Sequence, residues 1–96
     1  MNIDDVMQKK RGEILRIAAR YGARDVKVFG SVARHERRPD SDVDVLVKLA
    51  PGRSLLDIVA IKQDLEDLLG CKVDVVTEAA ISPYIRDQVL KEAVNL

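Results

Sequence analysis

Apolar residues recur along this chain with two different periods. From about residue 3 to 21, Ile3, Val6, Met7, Ile14, Leu15, Ile17 and Ala18 gather on one side of a helical wheel, and Gly22 stands where a helix would end. The pattern then shortens to alternation. Val26 and Val28 share one side of a short strand from Asp25 to Phe29. Val43, Val45 and Val47 alternate with Asp42, Asp44, Leu46 and Lys48 in a second strand. Helical spacing returns after the turn at Pro51-Gly52, with Leu55, Ile58, Ile61, Leu65 and Leu68 as the inner stripe and Gly70 as the stop. Ser54, with Asp57 three residues later, is a weaker relative of the capping box. Lys72 to Val76 reads as a third strand, with Val73 and Val75 facing opposite to Asp74. Ser82-Pro83 opens a last helix, which packs through Ile85, Val89, Leu90 and Ala93.

The order is therefore α-β-(turn)-β-α-β-α, with no internal repeat, low-complexity tract or linker. It predicts one domain over residues 1–96 of α/β (α+β) class, a small mixed sheet of about three strands with about four helices. Hydrophobic residues at 47% and charged residues at 33% suit a globular chain and argue against disorder.

Sixteen basic and sixteen acidic residues cancel, so the basic excess of a general nucleic-acid binder is missing. One Phe, two Tyr and no Trp leave no aromatic platform for single-stranded nucleic acid. No run approaches the ~18 apolar residues of a membrane span. The opening MNIDDVMQKK lacks the apolar segment of a signal peptide. A lone Cys71 allows no internal disulfide and suits a reducing compartment, so the expected location is cytoplasmic. Its place before a strand reads as a small, semi-buried residue. One histidine and one cysteine exclude a His/Cys zinc cage built by this chain.

The chemistry concentrates in VFGSVARHERRPDSDVDVLVKL, residues 28 to 49. Period two puts Asp42 and Asp44 on the same side of a strand whose valines face the core. Two such carboxylates repel each other unless a cation sits beside them. Asp74 occupies the same Val-Asp-Val frame, and on a neighbouring strand it would complete an acidic cluster. An all-oxygen cluster with open positions is what Mg²⁺ prefers, because it keeps waters and completes its shell with substrate phosphates. The plainer reading is a solvated sheet face, or aspartates paired with Arg and Lys. Upstream, Gly30 lets backbone approach a ligand, and amides at the start of the next turn can bind an anion. Ser31 and Arg34 add a hydroxyl and a positive charge suited to a triphosphate, although Gly-Ser alone is more often simply a turn.

Other motifs fail on single residues. Asp40-x-Asp42-x-Asp44 matches the start of a calcium-binding EF-hand loop, but Val45 stands where glycine is required and Pro51 where the bidentate glutamate belongs. Walker A and dinucleotide fingerprints are both missing. A serine nucleophile at Ser31 would need His35 as its base, and a lone histidine in a basic loop reads first as a surface residue.

Gly30-Ser31, then ten residues, then Asp42-Val-Asp44 resembles the signature of the polymerase β-type nucleotidyltransferase superfamily. GSVARHERRPDSDVDVLV resembles its small prokaryotic branch, the minimal nucleotidyltransferases, and the likeness extends through KVDVV to the closing KEAVNL. The resemblance implies a polymerase β palm-like fold. It further implies that Asp42 and Asp44 bind two catalytic Mg²⁺ ions, and that Asp74 helps hold a metal and activates the attacking hydroxyl. Gly30 and Ser31 would take the β/γ-phosphates of ATP, with Arg34 beside them. Arg37 and Arg38 could offset further charge or simply form a solvated loop. Lys48 could pair with the aspartates or lie at the surface. His35 replaces the glycine the family often carries after Ala-Arg.

The reaction so implied moves a nucleoside monophosphate, AMP by family inference, onto an acceptor hydroxyl. For relatives of this size the implied partner is a HEPN-domain protein in a toxin–antitoxin module. There the nucleotidyltransferase is the antitoxin and adenylylates a tyrosine. Neutralisation by contact alone, and transfer to RNA or a small molecule, stay open at this stage. So does homodimer formation, for which residues 79–96 offer a surface apolar mostly on one side.

Overall fold

A computed structural model of the chain describes residues 7–30 and 42–96. Residues 7–9 are helical and a turn at Lys10 leads into α1, Arg11–Arg20. β1 runs Ala23–Phe29 and β2 Val43–Leu49. α2 follows over Leu55–Leu69, then β3 over Val73–Thr77 and a single 3-10 turn over Glu78–Ala80. α3 spans Pro83–Glu92, and β4, Val94–Asn95, ends the order.

The strands form one mixed sheet in the order β3-β2-β1-β4. β1 pairs antiparallel with both β2 and β4, whereas β2 and β3 run parallel. Parallel neighbours need a long crossover, and α2 supplies it. The expected three strands are joined by the short β4, whose Val94 lies opposite Val28. Sequence alone extends the last helix to Ala93 and gives no sign of so short an edge strand.

Alternation decides which face of the sheet becomes core. Val43, Val45, Val47, Val73 and Val75 are buried and cluster with Val26 and Val28, and with Ile14 and Ala18 of α1 and Ile61 and Leu65 of α2. Each fully buried Val, Ile or Leu side chain among these contributes roughly 1.5–3 kcal/mol. Polar clasps fix the helices at this face. The Tyr21 hydroxyl bonds to Asp64 at 2.9 Å, and Lys10 Nζ donates to the Leu68 carbonyl at 2.8 Å, a cation meeting a helix C-terminus.

The α2 boundaries follow their sequence signals. Ser54 accepts from the Leu56 N–H while Asp57 Oδ2 accepts from the Ser54 N–H, so the capping box forms. Gly70, at φ 69°, closes the helix in the left-handed conformation. The Ser82 side chain caps α3, with Pro83 in its first turn as expected.

Two packing expectations are corrected. Leu55, assigned to the α2 inner stripe, is 80% exposed because it is the first residue of α2, whose buried residues begin only at Ile61. Ile85, assigned to the α3 contact face, is half exposed, and α3 has no fully buried residue. Leu46 is the converse. It shares the aspartate side of β2 yet is wholly buried, so that face is apolar at its centre.

Candidate active site

The β2–β3 register brings the acidic residues together. Asp44 is the direct partner of Asp74, just as Val43 is of Val73 and Val45 of Val75. Partners in adjacent strands point to the same face and their backbones lie about 4.8 Å apart. Asp42 immediately precedes β2 and is exposed, Asp74 is exposed, and Asp44 is half-buried. The two Val-Asp-Val frames are thus one structural feature, a matched pair of carboxylates beside the helix-covered core.

Gly30 ends β1 against this pair. Phe29 is the partner of Asp44 across the antiparallel ladder, and the chain turns at Gly30 with φ 72°. A Cβ built on Gly30 would overlap Asp44 Oδ2. The glycine is required twice over, for its left-handed backbone and for the space the carboxylate occupies. Ser31, Arg34, His35, Arg37 and Arg38 lie outside the described residues, so their expected roles stand as expectations.

A second contact holds β3 in place. Glu66 of α2 accepts from the Val73 N–H at 3.1 Å and from Lys62 Nζ at 3.0 Å. The Lys62 hydrogen bond, then the Val73 N–H, hold the Glu66 carboxyl below its ordinary 4.5. The helix thereby fixes the residue immediately before Asp74. Sequence reasoning missed Glu66, although its place in the last turn of a helix leading into a strand was visible.

Lys48 does not pair with the site aspartates. Four residues along β2 from Asp44, it lies 3.8 Å from Glu78 and 3.9 Å from Asp25, while Lys27 meets Glu78 at 3.6 Å. The carboxylate end of this face is therefore separated from a basic end by Leu46 and its partner Val76.

The donor set fits a hard cation. Asp42, Asp44 and Asp74 offer oxygen alone, and Mg²⁺ commonly uses one or two carboxylates plus substrate phosphates. Among the described residues no three His, Cys, Asp or Glu side chains converge closely enough to hold a metal as they stand. Asp44 and Asp74 lie adjacent across the β2–β3 ladder. Among the described residues, no helix is long and apolar enough to cross a membrane.

The sheet thus presents an acidic pair on parallel strands, faced by a glycine turn. The chain belongs to the family described as "Nucleotidyltransferase domain", whose pattern matches residues 11–96. Among curated relatives it is 42% identical to "Putative protein adenylyltransferase MJ0435" of Methanocaldococcus jannaschii, covering 100% of this chain and 99% of that protein. It is also 43% identical, over 78% of this chain and 76% of the relative, to "Protein adenylyltransferase MntA" of Thermococcus cleftensis.

The fold agrees. A solved structure named "putative minimal nucleotidyltransferase" superposes with a TM-score of 0.90 at 48% identity, covering 100% of this chain and 97% of the other. A complex of tri-AMPylated Shewanella oneidensis HEPN toxin with MNT antitoxin matches with a TM-score of 0.70 at 20% identity, covering 93% of this chain and 70% of that chain, a likeness of fold.

Proposed function

We propose that this chain is a Mg²⁺-dependent protein adenylyltransferase that moves AMP from ATP to a hydroxyl of a HEPN-domain partner and so acts as that partner's antitoxin. The observation that carries the reading is the Asp44–Asp74 pair closed over by Gly30, within a family match that spans most of the chain. Support for AMP and for a protein acceptor comes from the relatives named protein adenylyltransferase. Support for the HEPN partner comes from the complex of an AMPylated HEPN toxin with a protein of the same fold. Cytoplasmic action is consistent with the single, half-buried Cys71.

In this reading the acceptor hydroxyl oxygen attacks the α-phosphorus of ATP. The new P–O bond forms as the bond to the β-phosphate bridging oxygen breaks, and pyrophosphate leaves. Asp74 takes the hydroxyl proton, because its exposed carboxylate lies at the open side of the pair. Asp42 and Asp44, with Asp74 beside them, are the residues that would hold Mg²⁺. The bound ion would polarise the phosphates, lower the acceptor's pKa and stabilise the departing charge. Gly30, with Ser31 and Arg34, positions the β/γ-phosphates.

The test is transfer of label from α-labelled ATP, with Mg²⁺, to a candidate HEPN-domain partner protein. Label should appear on the partner and vanish with Asp42→Ala or Asp44→Ala. Transfer that persists in both variants would remove the metal assignment. An Asp42→Ala/Asp44→Ala chain that still protects cells would establish neutralisation by contact instead.

A further inference from the structure

Beyond Leu46, the carboxylate face ends in an open cleft of about 710 Å³. Arg24 of β1, Lys48 of β2, Arg53 before α2 and Arg86 of α3 all line it, together with Glu78, Thr77 and Leu90. Arg24 and Lys48 are partners across the β1–β2 ladder, so both project to the face that carries Asp44 and Asp74. Lys48 is four residues from Asp44, about 13 Å along the strand. The cleft therefore shares the sheet face that carries the carboxylates.

Its charges are incompletely neutralised. Lys48 lies between Asp25 and Glu78, the latter shared with Lys27, and Arg53 is paired with Asp57 at 3.5 Å. Arg86 donates to the Glu78 carbonyl at 3.0 Å, a neutral acceptor, and Arg24 has no carboxylate within ion-pair distance among the described residues. Two guanidiniums thus stand ready for carboxylates from outside, each able to form a bidentate pair.

The kind of anion follows from the lining. The cations come from four separate segments spread across a wide cleft, which suits several spaced carboxylates better than one phosphate. No aromatic side chain lines it, so unpaired bases would find no stacking surface. The chain's zero net charge also supplies no general attraction for a nucleic-acid backbone.

We propose that this cleft docks an acidic segment of the acceptor protein, with Arg24 and Arg86 as its principal contacts and Lys48 and Arg53 at its border. The assignment rests on the protein adenylyltransferase reading, since it names what that acceptor carries near its hydroxyl. Docking at this distance would hold the acceptor while leaving the nucleotide end of the face open. Arg24 and Arg86 are recognition residues and take no part in the chemical step.

The experiment has a binding arm and a kinetic arm. A fluorescent polyglutamate peptide, inorganic pyrophosphate and oligouridylate are titrated separately against the chain without ATP. The wild type should bind the peptide, and Arg24→Glu/Arg86→Glu should weaken it about tenfold or more, because attraction becomes repulsion. Arg24→Gln/Arg86→Gln should fall between, and Arg16→Glu, exposed on α1, should bind as wild type. In the transfer assay the reversal should raise KM for the partner by a similar factor and leave kcat and KM for ATP unchanged. Peptide binding indifferent to both double variants would overturn the proposal, as would Arg24- and Arg86-dependent binding of pyrophosphate or oligouridylate in place of the peptide. If protein transfer itself is wrong, no label passes with any variant, while the peptide arm still reports on the cleft.

Discussion

Gly30 rests against the Asp44 carboxylate with no room between them for a side chain. The contact joins the two halves of the signature, the turn after β1 and Asp44 of β2. It predicts an unusually selective lesion. In Gly30→Ala the added methyl must displace Asp44, and the left-handed backbone adds roughly 1–2 kcal/mol of strain. The variant should fold with a modest loss of thermal stability and lose nucleotidyl transfer. Wild-type transfer rates in a folded Gly30→Ala protein would show that Asp44 has latitude the site does not need.

Asp44 and Asp74 face each other as register partners, and like charges so placed destabilise a sheet. Asp74→Asn should therefore leave stability without divalent cations unchanged or raise it by up to ~1 kcal/mol. The same change should cost about 10²-fold or more in transfer if Asp74 receives the acceptor proton. Adding Mg²⁺ should raise the melting temperature of the wild type and do so less in Asp74→Asn, because a ligand stabilises only the state that binds it. Melting curves with and without Mg²⁺, set beside transfer rates, check both halves.

Much of this was legible in advance because it rests on local rules. The capping box at Ser54, the stop at Gly70 and the valine alternation of β2 and β3 depend on neighbours a few residues away. Two identical Val-Asp-Val frames predict an acidic cluster of Asp42, Asp44 and Asp74 if their strands are neighbours, and the register makes Asp44 and Asp74 direct partners. What escaped was set by tertiary position. A helical wheel marks Leu55 as inward, but it cannot tell that the buried residues of α2 begin only at Ile61. Alternation puts Leu46 with the aspartates and cannot say that this face is also covered. The basic cleft draws on four segments, and its residues are unremarkable within each.

The contrast between those two leucines is measurable. Leu46→Ala should cost about 2–5 kcal/mol, the range for a fully buried leucine whose neighbours cannot close the gap. Leu55→Ser should stay within about 0.5 kcal/mol of wild type, as exposed substitutions do. Denaturant titration of the two variants decides the matter. The opposite ranking would restore the helical-wheel assignment of Leu55 to the core.

Asp25 is the only non-glycine residue at positive φ among those described, at 52°, and it sits where the β1–β2 register breaks between Arg24 and Lys27. Aspartate tolerates this conformation better than branched residues do. Asp25→Val should lose about 1–2 kcal/mol. Asp25→Gly should remain within about 1 kcal/mol of wild type, since glycine enters the region freely and the 3.9 Å pair with Lys48 is solvent-exposed. Equal stabilities for the valine and glycine variants would mean that the strand relaxes out of the bulge.

Glu66 links pH to the strand that carries Asp74. Its folded carboxyl ionises below the ordinary 4.5, chiefly through the Lys62 hydrogen bond and then the Val73 N–H. The unfolded state therefore takes up the proton first as acid is added. Stability owed to the ionised form is fully present above about pH 4.5 and is lost as pH falls through the lower folded value. Glu66→Gln keeps a carbonyl oxygen for the Val73 N–H but never carries charge. Wild type should exceed Glu66→Gln in stability at neutral pH, and the two unfolding curves should converge in acid, where both side chains are neutral acceptors. A gap that stays constant from neutral pH into acid would assign the difference to packing and would remove the charge of Glu66 from the account of how β3 is held.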